Sequence, residues 1–454
     1  MTVNIQPYFS QRYIRRALAL AASTTALALS AAPANAKEQP GAPKISLSAK
    51  FGPVYSDFAK KLEADKARPD ILAAQQAAKA VTTEAQQKAA QIQLAGLVAA
   101  EKAQLPSVVA AAVTPDDHYA AGQLELTLGG IALDTALQRQ ALLDMIATGK
   151  VGPADTAKFQ FYIGNFARDA GDYPAAITAL QAAIAAGYTE NQIDVLLADT
   201  YLKNHQIDKG LPALQHAIDV QKASGQPVPV SWYRSGVVAA YNAKLVGPTL
   251  SFGTGLIQQE PTQKNWSLLL QVVQRVAGYS PQEELDLMRL MGRTHSYGQK
   301  EDYLEYIQDA DARRFPGEVL DVIAAGVASG MLHGTETSIV EAKAVASSKV
   351  TADRASLPSL FRDGRAPGAS AATTSAAADA ALSYGQAAEA LALYKIALDK
   401  PGVETARVLT RMGIAQIDTG DYTGAQATFA RITGPRVPLA KLWTIYAAEK
   451  AGGK

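Results

Sequence analysis

Histidine is the side chain best suited to metal binding and to proton transfer near neutral pH. The chain has five, namely His118, His205, His216, His295 and His333. No two of them stand three or four residues apart, so the helical H-E-x-x-H ligand pair of zinc proteases is missing. There is no cysteine, which excludes disulfides, thiolate metal sites and a cysteine nucleophile. The sequence therefore predicts no metal site and no catalytic thiol.

Other catalytic signatures are missing as well. The chain contains no G-x-x-x-x-G-K phosphate loop and no G-x-S-x-G elbow, and the glycines of "FGTGLIQ" lack the third glycine of a dinucleotide site. The stretch "GLIQQEPT" resembles a segment of lytic transglycosylases. Those enzymes need an upstream glutamic acid as the general acid, whereas no Glu lies between Glu190 and Glu260. We interpret this match as coincidence, and we predict that the protein has no catalytic residues and no cofactor.

One polar-aromatic group of residues follows Lys300. Tyr303, Tyr306 and Arg313 lie in "EDYLEY" and "RRF". They are candidates for a ligand pocket, and the alternative is that they cover a helix surface and pack between neighbouring helices.

Composition indicates the elements that would position any site. Hydrophobic residues make up 48% of the 454, aromatics only 7%, and alanine is abundant throughout. Alanine has the highest helix propensity, and alternating strand patterns are nearly absent, so we predict an all-α protein. The formal net charge is +1. A basic excess that would favour nucleic acid or anionic lipid is therefore missing.

The first 36 residues have the features of a secretory signal peptide. Arg12, Arg15 and Arg16 precede an apolar run that ends in Ala34-Asn35-Ala36, an A-x-A cleavage pattern. We expect cleavage after Ala36 and a periplasmic or secreted mature chain, with no membrane span remaining. An uncleaved N-terminal anchor is the alternative.

A repeat organises the rest of the chain. "GDYPAAITALQAAI" begins at Gly171 and "GDYTGAQATFARI" begins at Gly420. Around the first phrase, small and large apolar residues recur 34 positions later: Gly164 corresponds to Ala198, and Leu180 to Leu214. Glycine and aspartate divide each unit into two halves with helical spacing, which predicts repeated helix–turn–helix units.

A 34-residue helical hairpin with small residues at these places resembles the tetratricopeptide repeat. Weaker copies follow at "SWYRSGVVAAYNAKLVGPTLSFGTGL", "EALALYKIAL" and "GAQATFARI". The resemblance covers about residues 157–260 and 376–432. It implies an α-α superhelix, a solenoid of stacked hairpins that share one continuous core.

Members of that family are mostly scaffolds and adaptors that bind a peptide or a partner helix on the concave surface formed by their first helices. Carried onto this chain, the resemblance predicts a set of partner-binding residues on that surface. They are Lys158, Phe161, Asn165, Arg168, Asp199, Lys203, Tyr233 and Tyr241. Some family members clamp a terminal carboxylate with Lys and Asn, but Phe161 stands where that Lys is expected. The alternative is that these are ordinary surface residues, with Phe161 packing between repeats.

We therefore expect a non-catalytic scaffold or adaptor of the bacterial cell envelope, with a protein or peptide partner. A second hypothesis is an accessory module that binds glycan or peptidoglycan, which aromatic side chains on the concave face would favour. A third, an enzyme built on helical hairpins, would need acidic residues that converge in a deep pocket.

The predicted organisation has six segments. They are a signal peptide (1–36), a flexible leader (37–50), N-terminal helical hairpins (51–156), a TPR-like superhelix (157–346), a linker rich in Ser, Ala, Pro and Gly (347–375), and C-terminal TPR-like helices (376–454). The stretch "LPSLF" within the linker leaves open an ordered strap docked on a neighbouring helix.

Overall fold

A computed structural model describes residues 45–81 and 83–453. The described residues form 22 α-helices and no β-strand. The all-α fold of successive helical hairpins that the sequence predicts is thereby confirmed. The predicted signal peptide and the first part of the predicted leader lie outside the described residues, and none of the helices in 45–81 and 83–453 combines the length and apolar composition that a membrane crossing requires.

The chain divides after Ala223 into two compact units, here called unit 1 and unit 2. This division falls inside the segment 157–346, which we predicted from the sequence to be one superhelix. It lies at the insertion "ASGQPVP" between two repeats. The helices of unit 1 are α1 (Phe51–Lys66), α2 (Pro69–Ala80), α3 (Glu84–Leu97), α4 (Ala99–Ala110), α5 (Pro115–Ala132), α6 (Thr135–Ala147), α7 (Pro153–Asp169), α8 (Tyr173–Ala185), α9 (Ile193–Lys203) and α10 (Ile207–Ala223).

Unit 2 contains the remaining twelve helices and one turn of 3₁₀-helix, Gly434–Arg436. Its helices are α11 (Val230–Asn242), α12 (Val246–Gln259), α13 (Gln263–Ala277), α14 (Pro281–Arg293), α15 (Lys300–Ala310), α16 (Pro316–Ala328), α17 (Thr337–Arg365), α18 (Ala371–Ser383), α19 (Ala387–Leu398), α20 (Thr405–Asp418), α21 (Tyr422–Phe429) and α22 (Val437–Ala451).

Unit 1 begins as a small bundle. Helix α5 packs against α1, α3 and α4 around one apolar core that includes Phe51, Phe58 and Leu128. Two residues before α1 are also fixed, since the backbone N–H groups of Ser46 and Ser48 donate to Asp116 Oδ2 at 3.0 Å and to Asp117 Oδ1 at 2.9 Å. The predicted flexible leader is therefore wrong for residues 45–50, which dock on the start of α5.

The hairpins close through a small residue facing a large one sixteen positions later. A methyl group built on Gly164 in α7 would lie 2.7 Å from Leu180 Cγ in α8. The same arrangement recurs in unit 2, where Gly413 in α20 contacts the ring of Phe429 in α21. Helices can approach this closely only where one of them lacks a side chain, so the repeat signal in the sequence reports real contacts.

The turns explain why Gly-Asp appears twice. Gly171 and Gly420 adopt left-handed backbone conformations, with φ of 76° and 82°. The following Asp172 and Asp421 donate their N–H groups back to Ala167 and Gln416 at 2.8 Å, which terminates the first helix in a Schellman motif. Both aspartate side chains then cap the second helix. Each dipeptide ends one helix and starts the next.

Unit 2 is closed by its own last helix. The C-terminal helix α22 packs against α12, α14 and α20, so residues from both ends of the unit meet. Trp443 of α22 is fully buried, and Trp266 Nε1 of α13 donates to Glu449 Oε2 at 2.9 Å. Helix α20 lies at the centre, since all ten residues from 408 to 417 are buried.

The segment 347–375 is not the linker that its composition predicts. Residues 347–365 continue the 29-residue helix α17, and α18 starts at Ala371. Leu357 and Phe361 are buried four residues apart on one face, and a methyl group on Gly364 would lie 2.8 Å from Ala377 Cβ of α18. This contact stabilises a helix that continues through Pro358. The docked-strap alternative for "LPSLF" is the one the structure supports.

Candidate functional site

In unit 1 the first helices of two successive hairpins, α7 and α9, place polar side chains together. We call Lys158, Asn165, Arg168, Asp199 and Lys203 the first-helix strip. Arg168 of α7 forms an ion pair with Asp199 of α9, and Lys203 Nζ lies 3.3 Å from the same carboxylate oxygen. The structure therefore brings together three of the predicted partner-binding residues through an interaction that links neighbouring repeats. Arg168 itself is only 6% exposed. Its predicted exposed position is wrong, because it is buried in the ion pair with Asp199 of the next hairpin.

The other two members of the first-helix strip lie towards its start. Lys158 is exposed and makes no ion pair with the described part of the chain. Asn165 is half-buried, and its Nδ2 donates to the carbonyl of Phe161 at 2.9 Å, leaving its Oδ1 as an acceptor. The strip thus offers cations, a carboxylate and an amide, groups that can hydrogen-bond to a peptide or to a partner helix.

Phe161 is not on this surface. It is only 6% exposed and belongs to a core cluster with Leu180 and Ile193. Its ring stacks on that of Tyr188, with 4.6 Å between the ring centroids. The predicted exposed position of Phe161 is therefore wrong, because Tyr188 in the loop between two hairpins covers it; the alternative, that Phe161 packs between repeats, describes its environment.

Of the two predicted partner-binding residues in unit 2, one is buried and the other is partly exposed. Tyr233 is 4% exposed, and a methyl group built on Gly255 would lie 2.2 Å from Tyr233 Cε1. Its predicted exposed position is wrong, since the missing side chain at Gly255 makes room for the ring inside the α11–α12 hairpin. Tyr241 is half-buried near the end of α11. Its partner-binding role stays a prediction.

Unit 2 contains a set of charged residues that we did not predict from the sequence. We call Asp286, Arg289, Glu318, Asp379, Arg411 and Arg436 the buried charge network; each is less than 9% exposed.

The hydrogen bonds of this network centre on Arg411. Arg411 Nε donates to Asp286 Oδ1 at 3.0 Å, and its Nη1 donates to Asp379 Oδ2 at 2.6 Å. Arg289 forms a bidentate ion pair with Glu318, in which Nε donates to Oε1 at 2.7 Å and Nη2 donates to Oε2 at 2.8 Å. These bonds connect α14, α16, α18 and α20, which lie far apart in the sequence.

The charges of the network determine its protonation. Burial raises the pKa of Asp286, but the charges of Arg411, Arg289 and Arg436 outweigh it and hold that pKa below its ordinary value. The same competition, with Arg411 and Arg407 as the cations, lowers the pKa of Asp379. Both carboxylates are therefore ionised at neutral pH, and each depends on the arginines for its charge to be stable in the interior.

A sequence signal for this network exists. Asp286 and Arg289 interrupt the apolar run "LDLMRLM", and Arg411 interrupts "VLTRMGIA". A charge inside a fully apolar run is buried only when it is paired. The identity of the partner residues could not be read from the sequence, because the two helices involved are 125 residues apart.

The remaining candidates do not form a site. All five histidines are exposed. Across residues 45–81 and 83–453, no three His, Asp or Glu side chains are arranged to hold a metal ion. Tyr306 is buried and donates to Glu318 Oε1 at 2.7 Å, while Arg313 is 74% exposed and pairs with Asp311, so the predicted pocket does not bring these two residues together.

Comparison with known proteins gives similar folds at low identity. No protein-family model matches the chain, and no curated protein matches its sequence. Solved structures that are similar include the TPR2AB domain of yeast Sti1 in its pHSP90 complex (16% identity, 66% of this chain, 96% of that chain, TM-score 0.24). A tetratricopeptide repeat protein from Parabacteroides merdae is 13% identical (64% and 99%, 0.24), and the TPR domain of P58(IPK) is 12% identical (88% and 99%, 0.23).

These neighbours are tetratricopeptide proteins, the family that the sequence resembles. Their TM-scores are too low to support a detailed superposition on this chain. The assignment of the fold class therefore rests on the helical hairpins of this structure. The small–large pairs at Gly164–Leu180 and Gly413–Phe429, with their Gly-Asp turns, form the helix–turn–helix units on which this class of fold rests.

Proposed function

We propose that this protein is a non-catalytic scaffold or adaptor of the bacterial cell envelope that binds a peptide or a partner helix through the first-helix strip of unit 1. The observation that carries the proposal is the Arg168–Asp199–Lys203 cluster, which joins two successive first helices and leaves Lys158 and Lys203 in contact with solvent. Successive first helices with matched polar groups are the surface on which helical-repeat proteins bind extended partners.

The burial of Phe161 and Tyr233 favours a protein partner over a glycan. Sugar rings are usually held by exposed aromatic faces, and these two aromatic residues of the predicted surface are not available for stacking. Charged and amide groups remain, and these suit the N–H and C=O groups of a peptide. Glycan binding stays an alternative prediction.

Partner capture from an envelope extract tests this proposal. The bait is the chain from Lys37 onwards, and the test variant is the double substitution Lys158→Glu with Lys203→Glu. Lys88→Glu is the matched control, because Lys88 is also an exposed lysine of unit 1 but lies on α3. Circular dichroism establishes that all three proteins are folded.

We expect the wild type and the Lys88→Glu control to retain the same protein, and the double variant to lose it. Equal retention by the double variant would place binding elsewhere and contradict the proposal. If purified peptidoglycan co-sediments with all variants and no protein is retained, the glycan alternative replaces it.

The envelope location is tested separately. The A-x-A pattern at Ala34-Asn35-Ala36 supports export with cleavage after Ala36. Mass spectrometry of the N-terminal peptide of the protein isolated from cells should show a chain that starts at Lys37. A chain that retains residues 1–36 and sediments with membranes would support the anchor alternative instead.

A further inference from the structure

Three arginine side chains of unit 2 converge on one carboxylate oxygen. Asp379 Oδ2 accepts hydrogen bonds from Arg407 Nη1 and Arg411 Nη1, each at 2.6 Å, and Arg314 Nη2 lies 3.9 Å from the same oxygen. The second oxygen of Asp379 accepts from the Tyr394 hydroxyl at 2.7 Å. The single negative charge of Asp379 therefore faces the positive charges of three guanidinium groups.

The surrounding carboxylates do not remove the imbalance. Asp286 and Glu318 are bound by Arg289, Arg411 and Arg436, and Glu404 accepts from Arg407 Nε at 2.6 Å. Asp311, which also lies near Arg314, is held by the neighbouring Arg313. Each acidic group within reach is already bound by another arginine, and Arg314 has only the long 3.9 Å ion pair with Asp379, a carboxylate that it shares with Arg407 and Arg411.

Arg314 differs from the other two arginines in its exposure. Its side chain is 47% exposed, whereas Arg407 is 15% exposed and Arg411 is fully buried. Within the described part of the chain the Arg314 side chain donates no hydrogen bond, although its guanidinium lies 4.9 Å from the centre of the Phe315 ring, which orients it. Arg407 donates from Nε to Glu404 and from Nη1 to Asp379, and its Nη2 makes no hydrogen bond to any of the described residues.

We propose that Arg314 and Arg407 form a binding site for an oxyanion, a phosphate or carboxylate group, at the solvent-facing side of Asp379. A planar guanidinium can donate two parallel hydrogen bonds to the oxygens of such a group, and two guanidinium groups close together hold it between them. The anion supplies the counter-charge that the protein lacks at this place.

The electrostatics of Arg314 agree with this geometry. Burial lowers its pKa, and the charges of Arg411, Arg407 and Arg289 lower it further, against the opposing effect of Asp379. Its positive charge is thus disfavoured in the free protein. An anion that binds next to it relieves that repulsion, and removal of the charge relieves it as well.

The test is a calorimetric titration of the full mature chain with inorganic phosphate and, in a second arm, with acetate, each against chloride at equal ionic strength. The variant is Arg314→Gln, and the matched control is Arg313→Gln, an adjacent arginine that is 74% exposed and pairs with Asp311. We expect the affinity for the bound anion to fall about tenfold or more in Arg314→Gln, the loss of one charge-assisted contact, and to be unchanged in Arg313→Gln.

The two arms separate the sources of the oxyanion. Binding of phosphate alone supports a phosphate-bearing ligand, and binding of acetate supports a carboxylate. A wild type that responds to neither beyond the chloride control would overturn the proposal, and so would equal binding by the two variants.

A second readout excludes a merely structural role for Arg314. In the absence of added anion, Arg314→Gln should unfold at the same or a higher urea concentration than the wild type, because a repelled charge has been removed. A clear loss of stability in chloride buffer would show that Arg314 stabilises the fold, and would contradict the assignment.

Discussion

Units 1 and 2 are built from the same hairpin, but different interactions fix their helices. From α5 onwards, unit 1 is joined chiefly through contacts between sequence neighbours, such as Gly164 against Leu180 and Arg168 against Asp199. Unit 2 adds the buried charge network, which ties α14 to α20 across 125 residues, and a last helix that covers its first hairpins. The same repeat can therefore build a unit held by contacts between sequence neighbours, as in unit 1, or a unit held by pairs of residues far apart in the sequence, as in unit 2.

This comparison assigns different roles to charge in the two units. In unit 1, Lys158 is exposed and Asp199 and Lys203 of the first-helix strip are partly exposed, so these three are available to a partner, whereas Arg168 is buried against Asp199. In unit 2 the charges of the buried charge network are buried and paired, so they specify which helices meet. Changes in the network should therefore affect stability strongly, and changes at Lys158 and Lys203 of the strip should affect binding with little effect on stability.

The largest expected effect is in the buried charge network. Arg411→Met leaves Asp286 and Asp379 buried with too few cations, and we expect a loss of about 3–5 kcal/mol in the free energy of unfolding. Urea unfolding followed by tryptophan fluorescence measures it, because all three tryptophans, Trp232, Trp266 and Trp443, lie in unit 2.

Asp418→Asn is the matched control for Arg411→Met. The Arg293–Asp418 pair joins the same two helices, α14 and α20, but at the surface, and it should contribute at most about 1 kcal/mol. Equal losses in the two variants would contradict the distinction between buried and exposed ion pairs.

The second effect concerns the close helix contacts. Gly413→Ala would put a methyl group 2.3 Å from Phe429 Cε1, and we expect a loss of about 2–3 kcal/mol because the fully packed ring cannot move aside. Gly164→Ala in unit 1 meets the more adaptable Leu180 at 2.7 Å and should cost less.

Gly130→Ala provides the control for both glycine substitutions. Gly130 lies in α5 with no heavy atom within 4 Å of a built methyl group, so the variant should gain up to about 1 kcal/mol from helix propensity. Thermal unfolding monitored by circular dichroism compares the three. A loss at Gly130 as large as that at Gly413 would show that helix geometry, and not close packing, determines the cost.

The third effect is a pH dependence of the stability of unit 1. Burial, together with the charge of Asp144, raises the pKa of Glu125 to about 7. The folded protein therefore holds this proton more tightly than the unfolded chain, so the stabilising contribution is complete below the ordinary pKa of 4.5 and is lost as the pH rises through about 7.

Glu125→Gln should remove this dependence. We expect it to be more stable than the wild type at pH 8 by about 1–2 kcal/mol and equal to it near pH 4. Hydrogen exchange of α5 peptides, read by mass spectrometry at several pH values, measures the difference locally. Identical pH profiles for the two proteins would refute the burial of an uncompensated carboxyl group.

The smallest effect tests the shared turn. Asp172→Ala in unit 1 and Asp421→Ala in unit 2 each remove the side chain that caps a second helix, and each should cost about 1 kcal/mol. Urea unfolding monitored by circular dichroism measures both. A much larger loss at Asp421 than at Asp172 would show that unit 2 depends on its turns more than unit 1 does.

Periodic features of the fold could be predicted from the sequence, and long-range ones could not. Gly164, Leu180 and the Gly-Asp turns recur at fixed spacing, so their local geometry was readable. The partners Asp286 and Arg411 follow no period. Their pairing depends on which helices come together in three dimensions.

Two of the local predictions that were wrong show the effect of neighbours that cannot be placed from the sequence. Phe161 has the spacing of an exposed first-helix residue, yet Tyr188 stacks on its ring. Residues 347–365 have the composition of a linker, but Leu357 and Phe361 provide enough burial to hold them as a helix. For the candidate site, position along the repeat was predictable, whereas exposure depended on contacts between hairpins.

The most direct test of the binding role is site-specific photo-crosslinking in cells that produce the full chain. A photoreactive amino acid is placed at Lys158 or Lys203 of the first-helix strip, and at the exposed Lys88 of α3 as the reference position. We predict a discrete protein adduct from positions 158 and 203 and none from position 88. Adducts from position 88 alone, or none from either position in the strip, would contradict it.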